Sequence, residues 1–532
     1  MGGELSAPAR PRSSLNRRPQ FGGRPVPPVP ETLEDTGLSP EALVDLVLKS
    51  LYVQGARTGQ QLTDTIRIPF ALIDDRLLDL QQRQFVEVRG AKGHGRGGYT
   101  FDLTGKGRER AREAMDSNQY VGPAPVPLSK YREWVELQSI KGVSVSREGI
   151  EVGFSHLVLD PKFLDQLGPA INSAKSMFLY GDSGNGKTNL AESIARMMGG
   201  DLFVPHAVDV DGHVMVVFDP VHHRALPDGR VNGSKSEEDW LEPVHAYDRR
   251  FARVQRPVVF TGGELTLDQL DLQYDSHSKV YQAPFQVKAN GGVLIIDDFG
   301  RQRVRPRDLL NRWIVPLEKR MDYLTLHTGH KFPVPFDSLL IFATNLDPLD
   351  LVDEAFLRRI HYKIFVPSPT KDEYQKIFRR VCVSRQIVYR NEAVDWIYDN
   401  FYGRLGIPPR SCHPRDVVDH LCDYARFVDS EPVLAEHLLQ GACASYFLDM
   451  PDGGGEVGAG VVAADANADE PPETGVEDLA TALARALVEP AAEPQSRAPV
   501  ESVAEPLSRV PVEPGAEPPA TAVGGSAEST GP

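Results

Sequence analysis

The sequence predicts an α/β chain: a parallel sheet with a C-terminal helical lid, preceded by a small α+β domain, with a disordered segment at each end. Three observations carry that prediction. Apolar runs at 177–180, 293–296 and 339–344 lead into polar residues, as buried parallel strands do at their C-terminal edge. Residues 189–198 have helical spacing soon after the first run, so strand, loop and helix follow in order. Residues 41–115 read as three helices, then strand, Gly-rich loop, strand and a further helix.

From the N-terminus, residues 1–36 are rich in Pro and Arg and read as a flexible basic arm. Residues 37–115 form the first domain, with helices expected over 41–52, 58–66 and 69–83 and strands over 85–89 and 99–103. That order resembles a winged helix, which usually places its third helix in the major groove of DNA. Here the third helix carries Asp74, Asp75 and Asp79 against Arg76 and Arg83, and acids facing phosphates oppose binding. The Gly-rich loop offers Arg89, Lys92, His94 and Arg96. Protein docking or intramolecular regulation is therefore favoured, with duplex DNA left open as a partner. Residues 116–150 read as a linker, with prolines in its segment 116–128 suggesting a semi-rigid spacer and residues from Tyr131 leading into the next domain.

Residues 181–188 read Gly-Asp-Ser-Gly-Asn-Gly-Lys-Thr, which fits G-x-x-x-x-G-K-[ST] at every position. Gly181, Gly184 and Gly186 allow a backbone whose N–H groups turn toward one point, with Asp182, Ser183 and Asn185 completing the loop. Lys187 places a cation where β- and γ-phosphates would lie, and Thr188 offers a hydroxyl to Mg²⁺. The following helix points its N-terminus at the same place. ATP and Mg²⁺ are the expected ligands. The second apolar run ends in Asp297-Asp298. The first acid can hold Mg²⁺ through water, and the second can orient an attacking water. The third run ends in Asn345.

Residues 201–290 are long for a simple connection between core elements and read as an insertion. Its adjacent His222 and His223, placed on a strand, would project to opposite sides, which argues against a metal site. The four cysteines lack C-x-x-C spacing, which argues against a disulfide or zinc site.

In order along the chain, residues 181–188, Asp297-Asp298, Asn345, Arg358-Arg359 and His413-Pro-Arg415 resemble the Walker A, Walker B, sensor 1, arginine-finger and sensor 2 motifs of the AAA+ ATPases. The resemblance spans about residues 150–447. It implies a P-loop core over 151–367 and a helical lid over 368–448. A helix over 306–319 and a hairpin over 323–335, turning at Thr328-Gly329, are similar to the pre-sensor-1 hairpin clade that includes MoxR-like chaperone ATPases. The resemblance implies that Asp298 is the catalytic base and that Asn345 positions water or the γ-phosphate. Arg359, with Arg358 as the alternative, would reach a neighbouring subunit's nucleotide, and Arg415 would sense the γ-phosphate from the lid. An arginine supplied in trans implies a ring, most simply a hexamer.

One departure matters. The second Walker B acid is Asp298, where AAA+ hydrolases usually carry Glu. The arm is shorter by about 1.5 Å, a misplacement that can cost roughly a hundredfold. Slow, switch-like hydrolysis is favoured over fast turnover or none. The implied function is ATP-driven remodelling or switching of a protein partner. A DNA-associated ATPase and a non-hydrolysing nucleotide switch are the alternatives.

Composition bounds the remainder. No apolar run of about 18 residues is present, so no transmembrane helix is expected. The N-terminus lacks the apolar core of a signal peptide, so the expected location is cytoplasmic. The tail over 449–532 reads as disordered. From residue 451 it holds 15 acids against 3 bases, most of the chain's net charge of −16, with almost no aromatics. Only 477–488 has helical apolar spacing, suited to docking a partner.

Overall fold

A computed structural model describes residues 20–21, 24–92, 95–227 and 247–447. The expectations for the first 19 residues, for His94 and for the tail with its helix over 477–488 fall outside these described residues.

Five strands build a parallel sheet: β1 Met177–Tyr180, β2 Val258–Thr261, β3 Val293–Ile296, β4 Leu339–Thr344 and β5 Tyr362–Phe365. Their order across the sheet is β2-β3-β4-β1-β5, and every neighbouring pair is parallel. Strands β3 and β4 are buried at every position, which is why they read as unbroken apolar runs. Alternate residues still sort to opposite faces. Met177, Leu179, Val293, Ile295, Leu339 and Ile341 pack on one side with the helix Pro161–Asn172. Phe178, Leu294, Ile296, Leu340 and Phe342 pack on the other, with Phe299, Trp313 and Phe336. Because β4 lies between β1 and β3, the C-terminal ends of these three strands stand side by side, where open α/β sheets bind ligands.

The lid follows β5. Helices Lys371–Ser384, Asn391–Ile397, His413–Phe427 and Glu436–Tyr446 enclose a cluster that includes Tyr374, Phe378, Val418 and Leu438. Cys382 and Cys443 are buried in it as apolar fillers, and burial pushes both thiols up to about 12.

The N-terminal domain has its elements in the expected order. Helices Pro40–Gln54, Gly59–Ile66 and Phe70–Gln82 precede strands Val86–Ala91 and Tyr99–Leu103, and helix Gly105–Ser117 closes the unit. A short strand, Arg57–Thr58, joins the small sheet in addition. Two of the cations expected to face phosphates are engaged internally. Arg96 Nε donates to both carboxylate oxygens of Asp74, at 2.8 and 2.9 Å, and Arg89 pairs with Asp102 at 2.9 Å.

Five expectations need correction. The arm is folded from Arg24 onward: Val26 is buried with Trp134 and Phe251, and Thr32 and Asp35 cap a helical turn, Leu33–Thr36. The linker is no spacer. Val126–Pro127 pairs with Ala207–Val210, and helix Leu128–Leu137 buries Tyr131 and Trp134 because those residues share one helical face. The insertion ends sooner than residue 290, since β2 lies within that span. Its strands, the helix Leu128–Leu137 and the hairpin Met321–Thr325/Lys331–Pro335 share one apolar core. His222 and His223 lie past the strand His213–Val216, at a turn rather than on a strand. The helix expected over 306–319 is two helices, Pro306–Arg312 and Ile314–Lys319. Pro316 explains the break: it has no N–H for the Arg312 carbonyl, and its ring crowds that turn.

Candidate functional site

The loop after β1 runs directly into helix Lys187–Met197. Gly181, Gly184 and Gly186 have φ of 140°, 84° and 81°, conformations that a side chain would strain. At Gly181 an added Cβ would also lie 2.4 Å from the Val366 carbonyl oxygen. The helix begins with no side-chain cap, so its first N–H groups remain available to an anion.

Lys187 Nζ donates to the carbonyls of Gly181 and Asp182 at 2.8 and 2.9 Å. Burial holds its pKa below the ordinary lysine range, against the opposing pull of Asp297 and Asp298. Thr188 Oγ1 donates to Asp297 Oδ2 at 2.7 Å. The backbone N–H of Asp298 donates to Asp297 Oδ1 at 3.0 Å, and the Asp298 side chain stands exposed. Asp298 has φ of 48°, in the left-handed region that Asp tolerates better than Glu. The shorter acid therefore suits its backbone. Asn345 Oδ1 is buried and has no protein partner, so it is an acceptor in need of a donor.

These groups meet in one cleft of about 620 Å³. It is lined by residues 183–188, Asp297, Asp298, Asn345 and, from the lid, Arg415. Arg415 pairs with Asp416 at 3.2 Å and is largely exposed at the cleft's edge. Gly181 and Asp182 do not line the cleft; their part is to hold Lys187.

Arg358 and Arg359 lie elsewhere. Arg358 pairs with Glu354 at 3.1 Å, and Arg359 Nε pairs with Glu318 at 2.6 Å. They line a separate surface hollow of about 460 Å³ with Leu317, Glu318, Ala355 and His361. The fold does not bring them to the cleft.

Several residues in or beside the cleft carry no sequence signal; Arg410 and Ser368 do not line it but seat the lid on the loop. Arg410 Nη1 donates to the Ser183 carbonyl at 2.6 Å, and Cys412 N donates to the Gly184 carbonyl at 2.9 Å. Asn185 Nδ2 reaches Ser368 Oγ at 3.2 Å. The lid is thereby seated on the loop. Gly184 makes room for it, since a Cβ there would stand 2.7 Å from Cys412 Sγ. The lining also includes His156–Leu159 and, from the lid helix Lys371–Ser384, Ile377 and Val381. Arg380 fixes the first of these segments by donating to the Ser155 and Leu157 carbonyls at 3.0 and 3.2 Å.

His223, by contrast, is a satisfied core residue. Its Nδ1 accepts from Asp219 N and its Nε2 reaches the Lys288 carbonyl, both at 2.9 Å. No group of three or more His, Cys, Asp or Glu among the described residues is arranged to hold a metal unaided.

Residues 370–445 match a family described as a domain of unknown function (DUF8689). A search of curated proteins finds no match. Among solved structures, the chain is similar to the RuvB Holliday junction branch migration motor of Thermotoga maritima. That match has 14% identity over 58% of this chain and 74% of the other, with a TM-score of 0.30. It is also similar to NtrX from Brucella abortus, at 14% identity over 52% of this chain and 53% of the other, with a TM-score of 0.33. The strand order, the loop–helix junction and the ordered motifs make the α/β core a P-loop AAA+ fold.

Proposed function

We propose that the protein binds and hydrolyses ATP and uses that cycle to remodel or switch a protein partner. The observation that carries this reading is the convergence of Lys187, Thr188, Asp297, Asp298, Asn345 and Arg415 on one cleft. The residues present fit a nucleotide with Mg²⁺: uncapped helix N–H groups, a lysine among them, and a hydroxyl–carboxylate pair for the cation.

Bound ATP would supply the reactive anhydride, and Mg²⁺ would supply counter-charge. Lys187 exchanges its two loop carbonyls for phosphate oxygens. Thr188 and Asp297, already in contact, are the residues that would hold the cation. As the water oxygen bonds to the γ-phosphorus and the β,γ-bridging P–O bond breaks to release ADP, Asp298 would receive the water's proton and the unpartnered Asn345 Oδ1 would orient that water. Arg415 closes the cleft from the lid, so lid position follows the state of the nucleotide. Arg359, or Arg358 beside it, serves the cleft of a neighbouring subunit in a ring, because neither reaches its own. The N-terminal domain, of winged-helix type in this reading, regulates the machine.

The decisive experiment measures ATP binding and turnover in the intact protein and in Lys187→Ala. Loss of both with retained fold supports the reading, and unchanged values refute it. An Asp298→Asn protein held in its ATP state then serves to capture the partner.

A further inference from the structure

The segment between β3 and helix Pro306–Arg312 carries Arg301, Arg303, Arg305 and, on the helix's first turn, Arg307. All four are exposed, and none has a side-chain partner among the described residues. Arg108, Arg224 and Arg390 are also exposed without such a partner, but each is a single such arginine in its stretch, whereas here four lie within seven residues. Arg83, Arg147, Arg196, Arg358 and Arg426 each pair with a neighbouring carboxylate.

The segment is nevertheless built into the fold. Val304, between the arginines, is buried in the cluster that holds Trp313. Arg301 N donates to the Asp298 carbonyl at 2.9 Å, and Arg303 N donates to the Gly263 carbonyl at 3.2 Å. Gly300 N is held by Gln302 Oε1 at 2.6 Å. The nearby acids Glu264 and Asp308 form no ion pair with the arginines: Glu264 Oε1 instead accepts from Gly262 N.

Four cations within seven residues, none of them in an ion pair among the described residues, repel one another wherever their side chains approach, and an anionic ligand relieves that repulsion. The cluster contains arginine and no lysine. A guanidinium stays charged and offers a planar fork that matches phosphate. Charge density separates two kinds of polyanion. Duplex DNA carries a charge every 1.7 Å or so and a single strand roughly every 3.4 Å, whereas a natural acidic peptide reaches one per residue only in unbroken runs. Four arginines within seven residues suit the denser and more regular array.

We propose that the loop over 301–307 binds the phosphodiester backbone of a nucleic acid. The hydrogen bond from Arg301 N to the Asp298 carbonyl carries its occupation to the second Walker B acid, so nucleic acid changes the rate of turnover. The binding half of this proposal stands without ATP hydrolysis; the coupling half rests on the function proposed above.

The test uses the full chain and labelled oligonucleotides of about 30 units, as single-stranded DNA, duplex DNA and RNA, read by fluorescence anisotropy. Salt is varied between about 50 and 200 mM. At least one of the three binds. For a single strand the log–log salt slope is near −3, from about −0.7 per phosphate neutralised. A variant with Arg303→Ala, Arg305→Ala and Arg307→Ala loses affinity tenfold or more, while its ATP affinity and basal turnover match the parent. Nucleic acid changes turnover of the parent and not of the variant. Absence of salt-dependent binding, or a variant that binds as the parent does, overturns the site. Displacement by polyglutamate as effective as by unlabelled oligonucleotide overturns the choice of nucleic acid. Binding that leaves turnover unmoved overturns the coupling alone.

Discussion

Thr188 Oγ1 and Asp297 Oδ2 lie 2.7 Å apart, joining the loop after β1 to the end of β3 across 109 residues of sequence. The strand order makes this possible, since only β4 separates β1 from β3. A hydroxyl and a carboxylate in that contact are the pair that, in the function proposed above, would hold Mg²⁺.

Asp297→Asn keeps the shape of the pair and removes its charge. ATP affinity in the presence of Mg²⁺ should fall roughly ten- to a hundredfold, the scale of one lost charge-assisted contact. Titrations with Mg²⁺ and with chelator check this. An equal loss in both would detach Asp297 from the metal.

Asp298→Asn separates binding from chemistry. Asn also tolerates a φ of 48°, so the local backbone should survive the exchange. Single-turnover hydrolysis should slow by about a hundredfold or more, the usual contribution of a general base, with ATP affinity near that of the parent. Undiminished hydrolysis would move the base elsewhere.

Arg359 pairs with Glu318 on a half-exposed surface, a contact worth about 0.2–1 kcal/mol at most. Arg359→Ala should therefore leave the melting temperature almost unchanged. If the arginine acts on a neighbouring subunit, turnover should drop on the order of a thousandfold. Mixing with Lys187→Ala subunits should restore part of it. Specific activity that stays constant on dilution to a monomer would count against a trans role.

His223 sets part of the acid limit of stability. Asp219 N–H donates to Nδ1, so the proton sits on Nε2 and faces the Lys288 carbonyl. Burial holds its pKa down at about 4, against an ordinary value of 6.5. Between those values the unfolded chain binds more protons, so this contribution is complete above pH 6.5 and is lost as pH falls toward 4. The melting temperature of His223→Gln should start lower at pH 7 and fall less steeply toward pH 4. Parallel slopes for parent and variant would exclude His223.

Arg250 is fully buried and grips three parts of the chain. It pairs with Asp248 at 2.8 Å, and its Nη1 donates to the carbonyls of Thr36 at 2.7 Å and Pro125 at 3.4 Å. Removing residues 1–115 takes away the Thr36 acceptor and the buried Val26. Such a truncation should melt at a clearly lower temperature than the full chain. Asp248→Ala, which strands the cation, should cost about 3–5 kcal/mol in chemical denaturation. A truncation as stable as the parent would show the N-terminal domain to be separable.

Much of the site was legible because its chemistry is local. The octet 181–188 needs its glycines and lysine at fixed spacing whatever surrounds it. Asp297, Asp298 and Asn345 were legible because buried parallel strands are largely apolar, so the first exposed or charged polar group after the run lies at the sheet edge; in β3 and β4 only Thr344, buried at the end of β4, breaks the pattern. The rest of the site was not legible. Residues 156–159, Arg380 and Arg410 earn their places by contacts with segments as far as 227 residues away, and no local pattern records such a contact. The proline-rich stretches around residues 26 and 126 misled for a related reason. Their composition suggests exposed spacers, but a single Val, or Tyr131 and Trp134 on one helical face, suffices to bury them once a partner surface exists.

By itself the sequence determined where the Gly-rich loop, the strand ends and the core elements fall along the chain, since turn geometry, strand burial and helix periodicity are properties of neighbouring residues. Tertiary structure alone decided three things: which residues face the cleft, that Arg358 and Arg359 do not, and that Arg89 and Arg96 are paired while the arginines of 301–307 stand free. An arginine's role depends on whether a carboxylate lies within about 4 Å of it. That distance is set by how the chain folds back on itself, which spacing along the sequence does not encode.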